Sequence, residues 1–327
     1  MQSFEWVDAT SVSQAATLIA ESKPNRTVLA KAGGMDLLDL MKEGVITPAR
    51  LVNLKTIPGL NKIDIADGLS LGTLVTLDQI DKHVELRRMY PAFAEAAAHA
   101  ATPQVRNAAT IGGNLLQKPR CWYFRHDYFH ETPGDHQQRV ADGQNQYHAI
   151  FDTDKSVMTQ ASTPATALVA YGGSVELTSA DGKTRTVKLS DFFLPPTMDR
   201  PIDADVQPGE ILTRVIVPAP PAGTKAAYHK QTERESYDWP ICDVAVVLQM
   251  DGDVVKAASI VGGWVAPIPR RFAAAERAII GKPLTEDTAR AAAQAAVADA
   301  KPLSKNAYKI PILETVIRRT LLAAAKG

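Results

Sequence analysis

Apolar residues recur at helical spacing in SVSQAATLIAES (11–22), give way to a strand-like run, RTVLAKA (26–32), and return to helical spacing in MDLLDLMKEG (35–44). Between the last two lies the pair Gly33-Gly34; the next apolar run, RLVNLKTI (50–57), reads as a strand ended by Pro58 and Gly59. This alternation predicts a small α/β unit over 1–59 with a short parallel sheet. From Leu60 the pattern changes. KIDIADGLSLGTLVTLDQI predicts two strands around Asp67-Gly68, followed by an alanine-rich helix from about Tyr90 to Ala101. GGSVELTSADGKTRTVKLSDFF predicts a hairpin at Asp181-Gly182, and closely spaced prolines between Leu194 and Pro221 surround the strand EILTRVIVP and mark a boundary. A second α+β unit thus spans 60–222, interrupted by a patternless stretch at 118–148. The remainder, 223–327, reads as strands KAAYHKQTE and ICDVAVVLQMDGDVVKAASIVGGWV, with a hairpin at Asp251-Gly252, and three alanine-rich helices.

Composition narrows the function classes. Lys plus Arg equals Asp plus Glu, 36 each, so net charge offers no driving force for nucleic-acid binding. The apolar fraction of 45% suits a soluble globular protein, and no run of about 18 apolar residues predicts a membrane span. The start, MQSFEWVDATSV, lacks a basic region followed by an apolar stretch, which predicts a cytoplasmic location unless a partner carries the chain elsewhere. Two cysteines, Cys121 and Cys242, exclude a disulfide framework and a four-cysteine cluster built from this chain alone. Cys242 sits in a strand-like run as a small hydrophobe would; the role of Cys121 stays open.

The chemistry-bearing signal is a pair of glycine pairs. Gly33-Gly34, in LAKAGGMDLL, and Gly112-Gly113, in ATIGGNLLQ, each precede an apolar run. A glycine pair between strand and helix permits positive φ and removes the Cβ that would keep a ligand from backbone N–H groups; with a helix N-terminus behind it, such a loop accepts an anion. Lys31 is placed to add charge. Either pair alone reads equally as a tight turn, whereas two facing loops suit the two phosphates of a dinucleotide. Neither is GxGxxG or GxxxxGK[ST], which removes the usual nicotinamide and nucleoside-triphosphate fingerprints.

KAGGMDLLDLMKEG, LVNLKTIPGL, ATPQVRNAATIGGNLLQ, LSDFF and AYHKQTERESYDWPICDVAV, in that order, resemble the FAD-binding medium subunit of molybdenum hydroxylases, the xanthine dehydrogenase and carbon monoxide dehydrogenase superfamily. NLLQKPRCWYFRHD, QNQYHAIF and ESYDWP are similar, more narrowly, to the flavin subunit of bacterial periplasmic aldehyde oxidoreductases. The resemblance implies an α+β fold: an FAD-binding part of the vanillyl-alcohol-oxidase (PCMH) type in two subdomains, then a C-terminal domain of a three-stranded sheet with a helical bundle. It implies that Ala30, Lys31, Ala32, Gly33, Gly34, Met35, Asp36 and Leu37, with Thr110, Ile111, Gly112, Gly113 and Asn114, wrap the FAD pyrophosphate and ribityl chain. Met35 stands where the family usually has threonine, so a hydroxyl contact is replaced there by backbone donors alone. Thr163 stands where relatives commonly have aspartate and implies a hydroxyl contact. Lys230 matches a lysine near the flavin, where a cation stabilises the reduced ring.

The same resemblance bears on 118–148. Close relatives hold a [4Fe–4S] cluster there through four cysteines; this chain keeps one, so no such cluster is expected. Cys121 with His126, His130, His136 or His148 is the alternative metal set, His126 and His130 having the i, i+4 spacing of one helical face; a packed, cluster-free loop is the simpler reading. Trp122, Tyr123, Phe124, Tyr128 and Phe129 predict that the segment is folded, either against its own domain or over the flavin or a partner subunit.

Three functions fit. The first is an electron-transfer subunit: a molybdenum-cofactor large subunit oxidises an aldehyde, a small subunit with [2Fe–2S] clusters relays the electrons, and FAD on this chain delivers them to a small-molecule acceptor, in a heterotrimer or a dimer of heterotrimers. The absence of GxSxG or HExxH agrees with a chain whose cofactor carries the chemistry, and no catalytic side chain is assigned. The second is a free-standing flavin oxidase or dehydrogenase, with His126, His130, Tyr171 or Asp238 as its base. The third is a nucleotide-binding module without catalysis.

Overall fold

The computed structural model describes residues 1–126, 135–154, 156–195, 197 and 203–326, without the side chains of 135–137 and 203. The predicted α/β start is a three-stranded parallel sheet in the order Glu5–Asp8, Arg50–Asn53, Val28–Lys31. Helix Val12–Ala20, capped by the Ser11 hydroxyl, lays Ala15 and Ala16 against Val28, Val52 and Leu54. That small core also takes in Leu60, Leu74 and Ile211 from further along the chain.

The second sheet has five antiparallel strands in the order Ile63–Asp64, Leu69–Gly72, Ile211–Val217, Ser174–Thr178, Thr184–Lys188. The turns at Asp67-Gly68 and Asp181-Gly182 fall where the sequence predicts, both glycines at positive φ. Its apolar face, Leu69, Leu71, Val175, Leu177, Val215 and Val217, packs under helices Leu77–Lys82, Pro91–Ala98 and Thr163–Ala170. The alanine run over Pro91–Ala98 is buried almost all round, because small side chains let this helix touch a second sheet on its other side.

That further sheet, the third of the fold, runs Thr224–Gln231, Cys242–Asp251, Val254–Gly263, Arg270–Arg271. Its fourth, two-residue strand goes beyond the three expected. Helices Ala273–Ile279, Glu286–Val297 and Lys309–Lys326 cover one face, and Cys242 is wholly buried there as a hydrophobe. The other face meets helices Pro91–Ala98 and Thr163–Ala170.

The segment predicted to be patternless contains helix Asp135–Asp142, with Val140 packed on Cys121, Val157 and Met158. The chain then crosses to the C-terminal unit: Ile150 and Phe151 enter its core, and the Asn145 amide reaches Ser304. Lys309, fully buried, donates to the carbonyls of His148 (3.0 Å) and Trp264 (2.7 Å), with a longer contact to Tyr147 (3.4 Å). Among the described residues no helix is long and apolar enough to cross a membrane.

Candidate functional site

The two glycine loops border one cavity of about 770 Å³, together with residues of the C-terminal sheet and its loops. Strand Val28–Lys31 delivers the first loop, and helix Leu37–Lys42 leaves it with Asp36 as the capping residue. Among the described residues the amides of Gly33, Gly34, Met35 and Asp36 meet no acceptor in the protein. Consecutive backbone donors beside a helix start are a site for phosphate oxygens. Gly34, at φ +80°, turns the chain there.

The second loop works differently. Its amides are already used: Ile111 donates to Val75, Gly112 to Thr73, Gly113 to the Thr110 hydroxyl and Asn114 to the Thr110 carbonyl. Asn114 Oδ1 accepts from the Ser162 hydroxyl at 2.5 Å. This loop contributes shape and closeness. A Cβ on Gly33 would lie 2.1 Å from the Ala108 carbonyl oxygen, so Gly33 lets the two loops approach each other, and one on Gly112 would lie 1.8 Å from Thr73 Oγ1, so Gly112 lets the second loop sit on the end of strand Leu69–Gly72.

Of the expected site residues, Ala30, Ala32 to Leu37, Thr110, Gly112 to Asn114, Thr163 and Lys230 line the cavity; Lys31 and Ile111 do not. The Lys31 ammonium lies 5.3 Å from the centre of the Trp6 ring, and its Cε lies 3.0 Å from the point a Cβ on Gly34 would occupy, so its charge stands beside the first loop although it does not line the cavity; burial with Lys55 nearby lowers its pKa. Ile111 belongs to the core beneath. Asp36 borders the cavity, yet its carboxylate is taken: Arg120 and Arg125 each reach Oδ1 at 2.5 Å and the Lys118 amide donates to Oδ2. Burial pushes its pKa up, but the two guanidiniums and that amide hold it below the ordinary carboxylate value.

The Thr163 hydroxyl donates to the Ala96 carbonyl at 3.2 Å, and the Lys230 ammonium donates to the His99 carbonyl at 2.8 Å. Burial lowers the Lys230 pKa while Asp243 and Asp238 oppose it. Ala101 and Trp264, two non-glycine residues at positive φ, both border the cavity, the kind of strained backbone that collects at functional sites.

The sequence reading overlooked Arg120, Trp239 and Trp264. Trp239, 59% exposed, stacks on Trp264, and Arg120 lies over its ring at 5.7 Å, forming the lip of the cavity. Phe124 and Lys118 also line it, so the start of the 118–148 segment borders the cavity; Trp122 instead packs edge-on against Tyr147, and Tyr128 and Phe129 lie outside the described residues. Cys121 is buried with Sγ 3.1 Å from His148 Nε2, and burial raises its thiol to about 11. Among the described residues no group of three metal-ligating side chains occurs; His130 and the His136 side chain lie outside them. The bases considered for a free-standing enzyme are not assembled: Tyr171 packs edge-on against Tyr90, Asp238 is paired with Arg234, and neither these nor His126 lines the cavity.

Residues 2–220 match the FAD-binding domain of molybdopterin dehydrogenases, and 227–324 match the C-terminal domain of the carbon monoxide dehydrogenase flavoprotein. The chain belongs to the FAD-binding medium subunits of the molybdenum hydroxylases. It is 31% identical to the aldehyde oxidoreductase FAD-binding subunit PaoB of Escherichia coli, over 99% of both chains. It is 29% identical to the carbon monoxide dehydrogenase medium chain of Hydrogenophaga pseudoflava, over 98% of this chain and 96% of that one. The structure of that organism's carbon monoxide dehydrogenase superposes with a TM-score of 0.76 over 99% of this chain and 97% of its own, at 28% identity. Quinoline 2-oxidoreductase of Pseudomonas putida shares the fold, with a TM-score of 0.77 at 23% identity. This medium subunit is therefore an FAD-dependent oxidoreductase subunit of a multi-subunit molybdenum hydroxylase. The site fits that cofactor: amides of the first loop left for phosphates, alanine walls at 30, 32, 101 and 109, and Lys230 on the same cavity.

Proposed function

We propose that FAD lies in this cavity with its pyrophosphate on the amides of Gly33 to Asp36, its chain along Thr110 and Gly112 to Asn114, and its ring toward Thr163 and Lys230. The observation that carries this reading is the joining of both glycine loops and Lys230 on one cavity. In that arrangement 1–59 and 60–222 hold the dinucleotide, and 223–327 supplies the lysine. Bound FAD supplies the redox step; the chain supplies position and a fixed positive charge.

The partners we propose are a large subunit with the molybdenum cofactor and a small subunit with [2Fe–2S] clusters, in a heterotrimer or a dimer of heterotrimers. Identity to an aldehyde oxidoreductase subunit over nearly the whole chain favours an aldehyde substrate for the complex. An aldehyde and water give the carboxylic acid, two protons and two electrons, and the electrons leave through FAD to a small-molecule acceptor. With a signal-bearing partner the folded complex is periplasmic; otherwise it is cytoplasmic, which fractionation of the native source decides.

The test is mild purification from the native source, followed by the absorbance spectrum and metal analysis. A flavin spectrum with molybdenum, iron and two further polypeptides is expected. A yellow, metal-free single chain would overturn the complex, and a colourless one would overturn the site.

A further inference from the structure

Beneath the cavity floor lies a charged group that the proposed binding of FAD does not use. Asp243, wholly buried, sits in strand Cys242–Asp251 directly opposite Lys230, with Tyr228 two residues away on the same face as Lys230. The Tyr228 hydroxyl donates to Asp243 Oδ2 at 2.9 Å. Asp243 Oδ1 lies where a Cβ on Gly263 would be only 2.1 Å from it, beside the Thr166 hydroxyl at 2.2 Å from the same point; the two oxygens meet without the alignment of a full hydrogen bond. The glycine at 263 thus makes room for a carboxyl that a core of this kind otherwise excludes.

We infer that Asp243 is a positioning residue for the redox site: acting on Lys230 across the strand pair, its carboxyl sets the charge that the cavity presents to bound FAD as electrons arrive. The inference rests on the proposed placement of the flavin ring toward Lys230. Directly opposed residues on one sheet face are neighbours at about 5 Å between Cβ atoms, so each charge is felt by the other, and each lies among the influences on the other's ionisation. An ionised Asp243 offsets part of the field of Lys230; a protonated one leaves that field whole.

Burial pushes Asp243 up to about 7, against the pull of Tyr228, Thr166 and the Lys230 charge. The other charged or titratable groups around the pair are Cys242 beside Asp243 and Tyr228, and Asp238 and Arg106 acting on Lys230; Thr163 and Thr166 from the facing helix are neutral, and Gly263 carries no side chain. Since reduction brings negative charge to the ring, the neutral form of Asp243 favours it and the ionised form opposes it. The flavin midpoint potential therefore falls with an extra bend near neutral pH.

The experiment is a spectroelectrochemical titration of FAD in the intact complex between pH 5.5 and 9, with FAD content measured in parallel, for wild type, Asp243→Asn, Tyr228→Phe and Lys230→Met. Asp243→Asn is expected to retain FAD, lose the bend and titrate at a higher potential above pH 7. Tyr228→Phe removes the donor that favours the carboxylate and is expected to move the bend to higher pH; it carries the test if Asp243→Asn does not fold. Lys230→Met is expected to lower the potential. Curves for Asp243→Asn or Tyr228→Phe that superpose on wild type, with Lys230→Met shifted, overturn the role of Asp243 alone. An unshifted Lys230→Met overturns the placement of the ring and this inference with it.

Discussion

Asp36 and Arg120 stand 84 positions apart in the chain and meet at 2.5 Å, tying the first glycine loop to the segment that borders the cavity. The pair is mostly shielded, with side-chain exposures of 16% and 15%, and Arg125 shares the same carboxylate oxygen. Breaking a shielded pair leaves the remaining charge uncompensated, at a cost of about 3 kcal/mol. Asp36→Asn is expected to lower stability to urea by roughly that amount and to weaken FAD retention during gel filtration. Because the Asp36 pKa is depressed, its contribution is present above about pH 3.8 and is lost as pH falls through its native value below that. Unchanged flavin occupancy in the variant would show that the bordering segment does not order the loop.

The glycine pairs separate into two duties that substitution resolves. At Gly33 an added methyl meets the Ala108 carbonyl, so Gly33→Ala forces the two loops apart, and at Gly112 it meets Thr73, so Gly112→Ala lifts the second loop from the adjoining sheet. Overpacking of this kind costs about 1 to 3 kcal/mol. A loss of stability is expected in the FAD-free protein as well, read from denaturant unfolding after the flavin has been removed. At Gly113 an added methyl meets only the Thr110 hydroxyl, at 3.1 Å. Gly113→Ala is expected to disturb FAD binding more than the stability of the flavin-free form. Equal destabilisation of all three flavin-free variants would refute the division.

Local pattern carried the architecture: the hairpins at 67–68, 181–182 and 251–252 need glycine at positive φ, and alternating apolar residues place their strands. The glycine loops were legible for the same reason, since a missing Cβ leaves its mark in the sequence itself. What could not be read was which neighbours fill that space: the Ala108 carbonyl at Gly33 and the Thr73 hydroxyl at Gly112. Lys31 was placed beside the loop by sequence, and its side chain does run along Gly34; that its ammonium also lies over Trp6, from the other edge of the sheet, no local pattern shows. Arg120 and Trp239 carried no periodic signal; they lie in irregular segments that only long-range packing brings together. Asp243 passed unremarked within the apolar run ICDVAVVLQM, because what makes it notable, its place opposite Lys230, depends on register.

Asp243 also makes stability depend on pH. Its native pKa of about 7 lies above the ordinary 3.8, so the stabilising contribution is fully present below about pH 3.8 and is lost as pH rises through 7. At 1.36 kcal/mol per unit the change amounts to roughly 4 kcal/mol. Urea midpoints of the wild-type protein are expected to fall between pH 5 and 8 relative to those of Asp243→Asn, which cannot ionise. Parallel pH profiles for the two proteins would mean that water or relaxation removes the burial penalty.

Lys309 shows the converse sign. Its ammonium is wholly buried, and it is the group by which helix Lys309–Lys326 holds the carbonyls of His148 and of Trp264, the strained residue at the cavity edge. Burial lowers its pKa to about 8, with Cys242 opposing, so the unfolded chain binds the proton more readily between pH 8 and the ordinary 10.5. Stability contributed by this group therefore rises with pH across that interval. Lys309→Met removes the donor and leaves the Trp264 carbonyl unpaired, at about 1 to 3 kcal/mol, while the His148 carbonyl keeps the Asn306 amide as donor. Two effects are expected: a lower urea midpoint, and weaker FAD retention because Trp264 is no longer fixed beneath Trp239. A destabilised variant that keeps its flavin with wild-type affinity would confine Lys309 to the core and leave the lip of the cavity independent of it.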